Sequence, residues 1–131
     1  MKQINTFDMD GVITIGLYPG PDDIIITGRS FEESKETLIY LHNRGIYNAV
    51  YFNPLPYDQK DRASSGRHKA RIIRMLMDSD VYVQKHFEDD EIQIAAIKES
   101  FPNLPIVHIV SNLVNKENVR HACEEVVNEL H

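Results

Sequence analysis

The segment Thr6-Phe7-Asp8-Met9-Asp10-Gly11-Val12-Ile13-Thr14 carries the strongest indication of the fold. It continues an apolar run that starts at Ile4 and delivers two acidic residues, one position apart, into a glycine turn. Successive side chains of an extended strand point to opposite faces, so Asp8 and Asp10 lie on the same side only while the chain stays extended. Gly11 then lets the backbone turn away. The stretch therefore predicts a strand that ends in an acidic loop.

The two carboxylates also predict a chemistry. Carboxylates this close repel each other unless a cation or a shared proton relieves the repulsion. Mg²⁺ is commonly bound by one or two carboxylates together with phosphate oxygens. Asp8 and Asp10 therefore predict a site for a hard metal ion and a phosphate group, and an acidic turn that only closes a strand is the structural alternative.

The composition indicates one globular domain over residues 1–131, because a chain of 131 residues is too short for two ordinary domains. The net charge of -6 argues against a surface generally coated with nucleic acid. The start of the chain resembles no signal peptide, and no apolar stretch reaches membrane-spanning length. Cys123 is the only cysteine, which excludes an internal disulfide. We therefore expect a cytoplasmic protein that does not bind a membrane.

The hydrophobic pattern predicts strands that alternate with helices. The predicted strands cover residues 4–7, 23–27, 46–52, 81–87 and 104–110, and the predicted helices cover 31–44, 65–78, 91–100 and a last segment from Asn115 to Leu130. Ser30 with Glu33, Ser64 or Ser65, and Asp90 with Gln93 supply the helix-capping signals. This order predicts an α/β Rossmann-like three-layer sandwich with a five-stranded, mainly parallel sheet. Ligands in such folds bind at the carboxyl ends of the strands.

Four elements of the chain, taken in order, resemble the motifs of the haloacid dehalogenase superfamily of phosphohydrolases. They are Asp8-Met9-Asp10-Gly11-Val12, Ile26-Thr27-Gly28-Arg29, Lys69, and Phe87-Glu88-Asp89-Asp90. The resemblance implies a Mg²⁺-dependent phosphatase in which Asp8 is the nucleophile and forms an aspartyl-phosphate. It also implies that Asp10 protonates the leaving group and later activates water.

The same resemblance assigns roles to the other elements. Thr27 and Gly28 would bind a phosphoryl oxygen, and Arg29 would either reach the substrate phosphate with its guanidinium or brace the next helix. Lys69 would neutralise the aspartyl-phosphate, and a cation in the first turns of its helix is unfavourable unless an anion lies nearby.

The metal ligands implied by the resemblance are Asp8, Asp10 and Asp89. Glu88 would support Asp89 without binding the metal directly, and Asp90 could take the place of either residue. A purely structural role for Asp90, as the cap of the following helix, is the alternative.

Residues 60–74 are strongly basic in an otherwise acidic chain. Arg67, Arg71 and Arg74 recur at helical spacing and therefore share one face of the predicted helix. Such a stripe is usually only solvated. The alternative is that Arg67 and its neighbours bind an anionic leaving group such as a nucleotide or a nucleic-acid end.

The chain departs from the family pattern in two respects. Neither gap between the motifs is long enough for a cap domain, and the breaker-rich segment 15–23 replaces the helix expected between the first two strands. A capless site is open, which suits a large substrate or closure by another subunit in a homo-oligomer. Small capless members of the superfamily encoded by tailed phages are similar, also around Ser65-Gly66-Arg67-His68-Lys69.

The six histidines show no zinc-ligand spacing, so we expect ordinary surface or core histidines.

A function other than catalysis is the alternative hypothesis for this chain. In that case it would be a catalytically silent binding or regulatory domain that keeps the fold and the metal without turnover.

Overall fold

One parallel sheet of five strands runs through residues 2–110, the part of the chain that the computed structural model describes. The strands are β1 (Lys2–Phe7), β2 (Ile24–Ser30), β3 (Val50–Asn53), β4 (Val81–Glu88) and β5 (Ile106–His108). Their order across the sheet is β3-β2-β1-β4-β5, and every neighbouring pair is parallel. The chain builds outward from β1 to β3 and then returns to add β4 on the other side of β1. The strand order therefore reverses between β1 and β4, which is where open α/β sheets form their ligand crevice.

Helices cover both faces of the sheet. They are α1 (Ser34–His42), α2 (Arg62–Asp78) and α3 (Glu91–Ser100). Against α2 and α3, the sheet buries an apolar cluster that includes Ile4, Ile26, Ile73, Val83 and Ile97. Against α1, it buries a second cluster that includes Phe7, Met9, Ile25, Leu41 and Ile46. The predicted three-layer α/β fold is confirmed, and no cap domain is present within residues 2–110.

Several predicted ends of helices were wrong. The capping box of Ser30 and Glu33 is present, but it caps a single 3-10 turn, and α1 begins only at Ser34. The helix expected to start after Ser64 or Ser65 begins at Arg62, because the Asp61 side chain accepts a hydrogen bond from the Ser64 backbone N–H at 2.7 Å. The Asp61 carboxylate thus satisfies one of the backbone N–H groups that the first turn of a helix leaves without a partner.

The strands also differ from prediction. β2 continues through Thr27 to Ser30, whereas β3 and β5 are shorter than the predicted 46–52 and 104–110. Between β1 and β2 the chain forms only a 3-10 turn at Ile13–Ile15, as the breaker-rich sequence predicts. The predicted last helix, from Asn115 to Leu130, lies outside the described residues. Within residues 2–110, no helix combines the length and the apolar character needed to cross a bilayer.

A β-bulge in β4 changes which side chains face α2. Ile4 of β1 pairs with Val83, and the next residue of β1 pairs with Lys85, so Gln84 is an extra residue. Because one extra residue reverses the alternation of side chains, Val83 before the bulge and His86 after it are both buried on the α2 side. The carboxylate of Glu88, two residues further, faces the same side.

We predict that Gly66→Ala destabilises the fold by about 1–3 kcal/mol. A Cβ at this position of α2 would lie 2.7 Å from the Ala96 Cβ and 2.9 Å from the Gln93 Cα on α3. Alanine would otherwise add up to about 1 kcal/mol through its helix propensity. Urea denaturation of the variant measures the balance, and the exposed Lys98→Ala in α3 is the control. An unfolding free energy equal to or above that of the wild type would show that the helices separate without cost.

Candidate active site

Three buried carboxylates meet at the carboxyl edge of the sheet. Asp8 directly follows β1, and its N–H donates to the Phe87 carbonyl at 2.9 Å, which extends the β1–β4 pairing by one residue. Glu88 ends β4 and Asp89 follows it. The carboxylates of Asp8, Glu88 and Asp89 each offer an oxygen within 4.8 Å of the others, and all three residues are buried.

Lys69 is the positive charge of this cluster. Its Nζ donates to Asp8 Oδ1 at 2.7 Å and to Glu88 Oε1 at 2.7 Å, and the side chain is fully buried. It is the eighth residue of α2, so the prediction that it lies in the first turns of its helix was wrong. The anions near Lys69 are therefore the side chains of the strand ends rather than a group at the helix terminus.

The electrostatics of the cluster show an excess of negative charge. Burial and the charge of Glu88 raise the pKa of Asp8 well above its ordinary value, although Lys69 opposes them. Burial also raises the pKa of Glu88. Burial and the charge of Asp8 raise the pKa of Asp89 to about 7. Burial lowers the pKa of Lys69, but the charges of Asp8 and Glu88 outweigh burial and raise it. One lysine does not balance three carboxylates.

The chemistry of these side chains fits a hard divalent cation. Lys69 occupies one oxygen of Asp8 and one of Glu88, and each carboxylate retains a second oxygen. With all three carboxylates ionised, the cluster and Lys69 together carry a formal charge of about -2, which one divalent cation would neutralise. Carboxylate oxygens are the ligands that Mg²⁺ and Ca²⁺ prefer. The described residues therefore offer a metal site whose ion is not fixed by the donor set.

Gly11 makes room for Asp89 in this cluster. The glycine has a φ of +87°, and a Cβ at this position would clash with Asp89 Oδ2. Any side chain here would push the carboxylate away from Asp8 and would also adopt an unfavourable backbone conformation. The glycine of the acidic loop thus has a second role besides the turn.

Asp10 has a different partner from the three clustered carboxylates. Its two oxygens accept from Arg29, from Nε at 2.9 Å and from Nη2 at 2.8 Å. Arg29 Nη1 also donates to Thr37 Oγ1 on α1 at 3.2 Å, so Arg29 does brace the following helix. That Asp10 binds the metal and that Arg29 binds the substrate both stay predictions.

The other predicted site residues lie in varied surroundings. Thr27 is fully buried within β2, and its hydroxyl accepts the Arg29 N–H at 3.1 Å. The Gly28 carbonyl accepts from Lys60 Nζ at 3.2 Å, and Lys60 ties the loop before α2 to β2. Arg67 is exposed and lines a groove between α2 and α3. The substrate-binding roles of Thr27, Gly28 and Arg67 stay predictions.

Asp90 acts as the cap of α3. Its Oδ1 accepts the Ile92 N–H at 2.8 Å, and both of its oxygens accept from Arg62 at 2.8 Å. Burial raises the pKa of Asp90, but the bonds and charge of Arg62 outweigh it and hold the pKa at about 2. The capping role of Asp90 is confirmed, and Asp89 is the member of this pair that joins the cluster.

His86 was not among the predicted site residues, but its contact with Glu88 connects it to the cluster. Its Nε2 lies 3.0 Å from Glu88 Oε1 and its Nδ1 lies 2.7 Å from Thr6 Oγ1, and all three side chains are buried. The available signal was its position two residues before Glu88 on one strand, since such residues share a face. His68 is also buried, and burial lowers its pKa to about 4, so it is an uncharged core histidine.

Compared with protein-family models, with curated proteins and with solved structures, this chain matches none. The resemblance to the haloacid dehalogenase superfamily therefore stays a prediction. The chemistry that the chain can perform has to be inferred from the geometry of the cluster.

We predict a pH-dependent stabilisation by divalent metal. Because the pKa of Asp89 is raised from 3.8 to about 7, the native protein holds a proton that the unfolded chain has lost between about pH 4 and pH 7. The metal-free free energy of unfolding therefore falls as pH rises through this window. Mg²⁺ replaces the proton, so its stabilising effect grows with pH. At ~100 times its dissociation constant, Mg²⁺ should add about 2.7 kcal/mol.

Melting curves in EDTA and in Mg²⁺ at several pH values test this prediction. Asp89→Asn is the matched variant: it should flatten the pH dependence in EDTA and weaken the gain from Mg²⁺. Asp8→Asn should raise the metal-free melting temperature near pH 8, because it removes one of the repelling charges. A wild-type melting temperature that ignores Mg²⁺ at every pH would contradict the metal site.

Proposed function

We propose that this chain is a Mg²⁺-dependent phosphatase that hydrolyses phosphomonoesters through an aspartyl-phosphate on Asp8. The observation that carries the proposal is the buried Lys69, which bonds Asp8 and Glu88 beside the carboxylate of Asp89. A lysine ammonium fixed on one oxygen of a carboxylate leaves the other oxygen oriented for attack. The position at the carboxyl edge, where the strand order reverses, supports a ligand site.

In the first half of the proposed reaction, the Asp8 oxygen that Lys69 does not hold attacks phosphorus. The bond between phosphorus and the leaving oxygen breaks, and that oxygen takes a proton from the Asp10 carboxyl. Because both Asp10 oxygens accept from Arg29, this pair has to open when Asp10 carries the proton. Lys69 remains on Asp8 throughout and opposes the charge that develops on the transferred group.

In the second half, Asp10 takes a proton from water while the water oxygen attacks phosphorus. The bond between phosphorus and Asp8 breaks, which releases inorganic phosphate and restores the Asp8 carboxylate and the protonated Asp10. Asp89 and Glu88 would hold Mg²⁺ together with the Asp8 oxygen that Lys69 contacts, which has a second lone pair, so the other Asp8 oxygen stays available for attack. When bound, this ion supplies charge neutralisation for the phosphoryl oxygens.

We predict Mg²⁺-dependent hydrolysis of a generic aryl phosphate by the full chain. Asp8→Asn should reduce turnover to background, because an amide does not form the acyl-phosphate, and Asp10→Asn should reduce kcat about 10²- to 10⁴-fold. Inorganic phosphate release measures the rates, and trapping of acid-stable or hydroxylamine-sensitive phosphate on the protein tests the covalent step.

The control for this assay is Asp22→Asn, which removes an exposed carboxylate remote from the cluster. It should leave both kinetic constants unchanged. Activity that survives EDTA, or equal rates for wild type and Asp8→Asn, would rule out the proposed mechanism.

The proposed substrate is a phosphorylated polynucleotide end, such as a 3′-phosphate. A groove of about 550 Å³ between α2 and α3 is lined by three arginines of α2 (Arg67, Arg71 and Arg74) and by one carboxylate of α3 (Glu99), so its charged side chains are mainly basic. Lys69 points from the same helix into the carboxylate cluster, so a ligand that touches both surfaces has to pass along α2. A polynucleotide carries phosphates for both surfaces at once, whereas a metabolite or mononucleotide with a single phosphate group does not. The absence of a cap within residues 2–110 leaves room for such a chain.

We predict that replacing the three groove arginines by glutamate raises KM for a 3′-phosphorylated oligonucleotide at least tenfold. KM for the aryl phosphate should stay unchanged, because the small substrate does not reach the groove. The charge-matched control replaces Lys2, Arg44 and Lys85, which are exposed elsewhere, by glutamate. The wild-type preference should also weaken steeply with added salt. Equal effects of both triple variants would reduce the groove to a solvated surface.

The second candidate function is a catalytically silent binding or regulatory domain. It is favoured by the Arg29 clamp, which occupies both oxygens of the group that has to transfer protons. In this reading the carboxylate cluster binds metal and the domain presents an anion site without turnover. No turnover across a panel of phosphorylated metabolites, nucleotides and oligonucleotides, together with a metal-dependent rise in melting temperature, would favour it.

A further inference from the structure

A chain of buried hydrogen bonds connects the interior of the sheet to Asp8. Thr6 and His86 are paired residues of β1 and β4, and their side chains meet at 2.7 Å. His86 Nε2 then reaches Glu88 Oε1 at 3.0 Å, and Lys69 joins that same oxygen to Asp8. All five side chains are buried, so no water competes for these bonds from bulk solvent.

The donors and acceptors of this chain fit in one direction. An ionised carboxylate can only accept, so His86 Nε2 carries the hydrogen directed at Glu88. A neutral imidazole then has a lone pair on Nδ1, which accepts from the Thr6 hydroxyl. Glu88 Oε1 consequently accepts two hydrogen bonds, from His86 and from Lys69. The second oxygen, Oε2, accepts a longer bond from the Asp90 N–H at 3.4 Å and has a further lone pair that can face a cation.

The β-bulge at Gln84 is what permits this arrangement. Without the extra residue, the side chains of His86 and Glu88 would face α1 while Val83 still faced α2. Glu88 would then lie on the opposite side of the sheet from Lys69. Bulges next to functional sites commonly re-aim a side chain in this way.

We propose that His86, held by Thr6, is a positioning residue that fixes the rotamer of Glu88, so that Glu88 retains Lys69 on Asp8 and turns its other oxygen, Oε2, toward the cation. His86 contacts neither the metal nor the substrate. It acts through Glu88, as an outer residue that orients a metal ligand. This inference rests on the proposed function for its kinetic consequence, but its effect on metal binding is independent of turnover.

Titration calorimetry of the full chain with Mg²⁺ tests the proposal. His86→Leu should weaken Mg²⁺ binding about 10- to 100-fold. Thr6→Val, which keeps the volume but removes the hydroxyl that orients the imidazole, should weaken it by a smaller factor. His86→Gln retains an amide donor for Glu88 and should recover part of the affinity. In the phosphatase assay, His86→Leu should lower kcat more than it raises KM for aryl phosphate.

His68→Leu is the matched control, because His68 is also a buried histidine on the α2 side but has no bond to the cluster. It should alter the melting temperature in EDTA without altering the dissociation constant for Mg²⁺. If His86→Leu does not fold, Thr6→Val decides the question with the same readout.

The outcomes separate this proposal from the proposed function. An Mg²⁺ dissociation constant that is unchanged in Thr6→Val and in the folded His86 variants overturns the positioning role, even if wild-type turnover is intact. A shifted dissociation constant without turnover in the wild type supports the positioning role and overturns the phosphatase. A wild-type chain that does not bind Mg²⁺ overturns both.

Discussion

The buried ammonium of Lys69 joins the carboxyl ends of β1 and β4 to helix α2, and the candidate site is built on these contacts. Asp8 and Glu88 end two neighbouring strands, and their carboxylates would repel each other in a dry interior if no cation lay between them. Removing one partner of a buried ion pair typically costs about 3–5 kcal/mol, because the remaining charge is left uncompensated. The carboxyl ends of β1 and β4 can therefore approach only because α2 delivers a lysine to them.

Lys69 neutralises only part of the negative charge of the site. One ammonium meets three clustered carboxylates, and burial, together with the charges of the neighbouring carboxylates, raises the pKa values of Asp8, Glu88 and Asp89. A proton or a metal ion can supply the missing positive charge, and the two compete. Repulsion between the carboxylates lowers the stability of the folded protein when no cation is bound. A bound cation removes this repulsion, so the same repulsion increases the affinity of the site for the cation.

The second acidic residue of the first loop has its own counter-ion. Arg29 binds both oxygens of Asp10 and connects this residue to Thr37 on α1, while Lys69 connects Asp8 to α2. Asp8 is thus connected to α2 and Asp10 to α1, which cover opposite faces of the sheet, although only one residue separates the two aspartates in the sequence. Any reaction that needs both requires the Arg29 contact to open, and a phosphate group is a suitable competitor for a guanidinium.

Local sequence patterns were enough to predict the order of strands and helices, the parallel sheet and the two acidic ends of β1 and β4. These features follow from local patterns, because an apolar run that enters an acidic, glycine-containing turn has the same meaning wherever the strand lies. The capping box at Ser30 was equally legible, since it depends on residues three positions apart.

The contacts between side chains of the site could not be predicted in this way, because they depend on how distant segments pack. The bulge at Gln84 reverses the faces of β4, and a register shift between distant strands leaves no mark in a two-residue alternation. For that reason the roles of His86, Glu88 and Asp90 could not be separated in the sequence, where all three lie within five residues. In the structure, Arg62 bonds Asp90 and Lys69 bonds Glu88, and these contacts distinguish the two carboxylates. Pairing between charges so far apart in the sequence is set by packing and not by spacing along the chain.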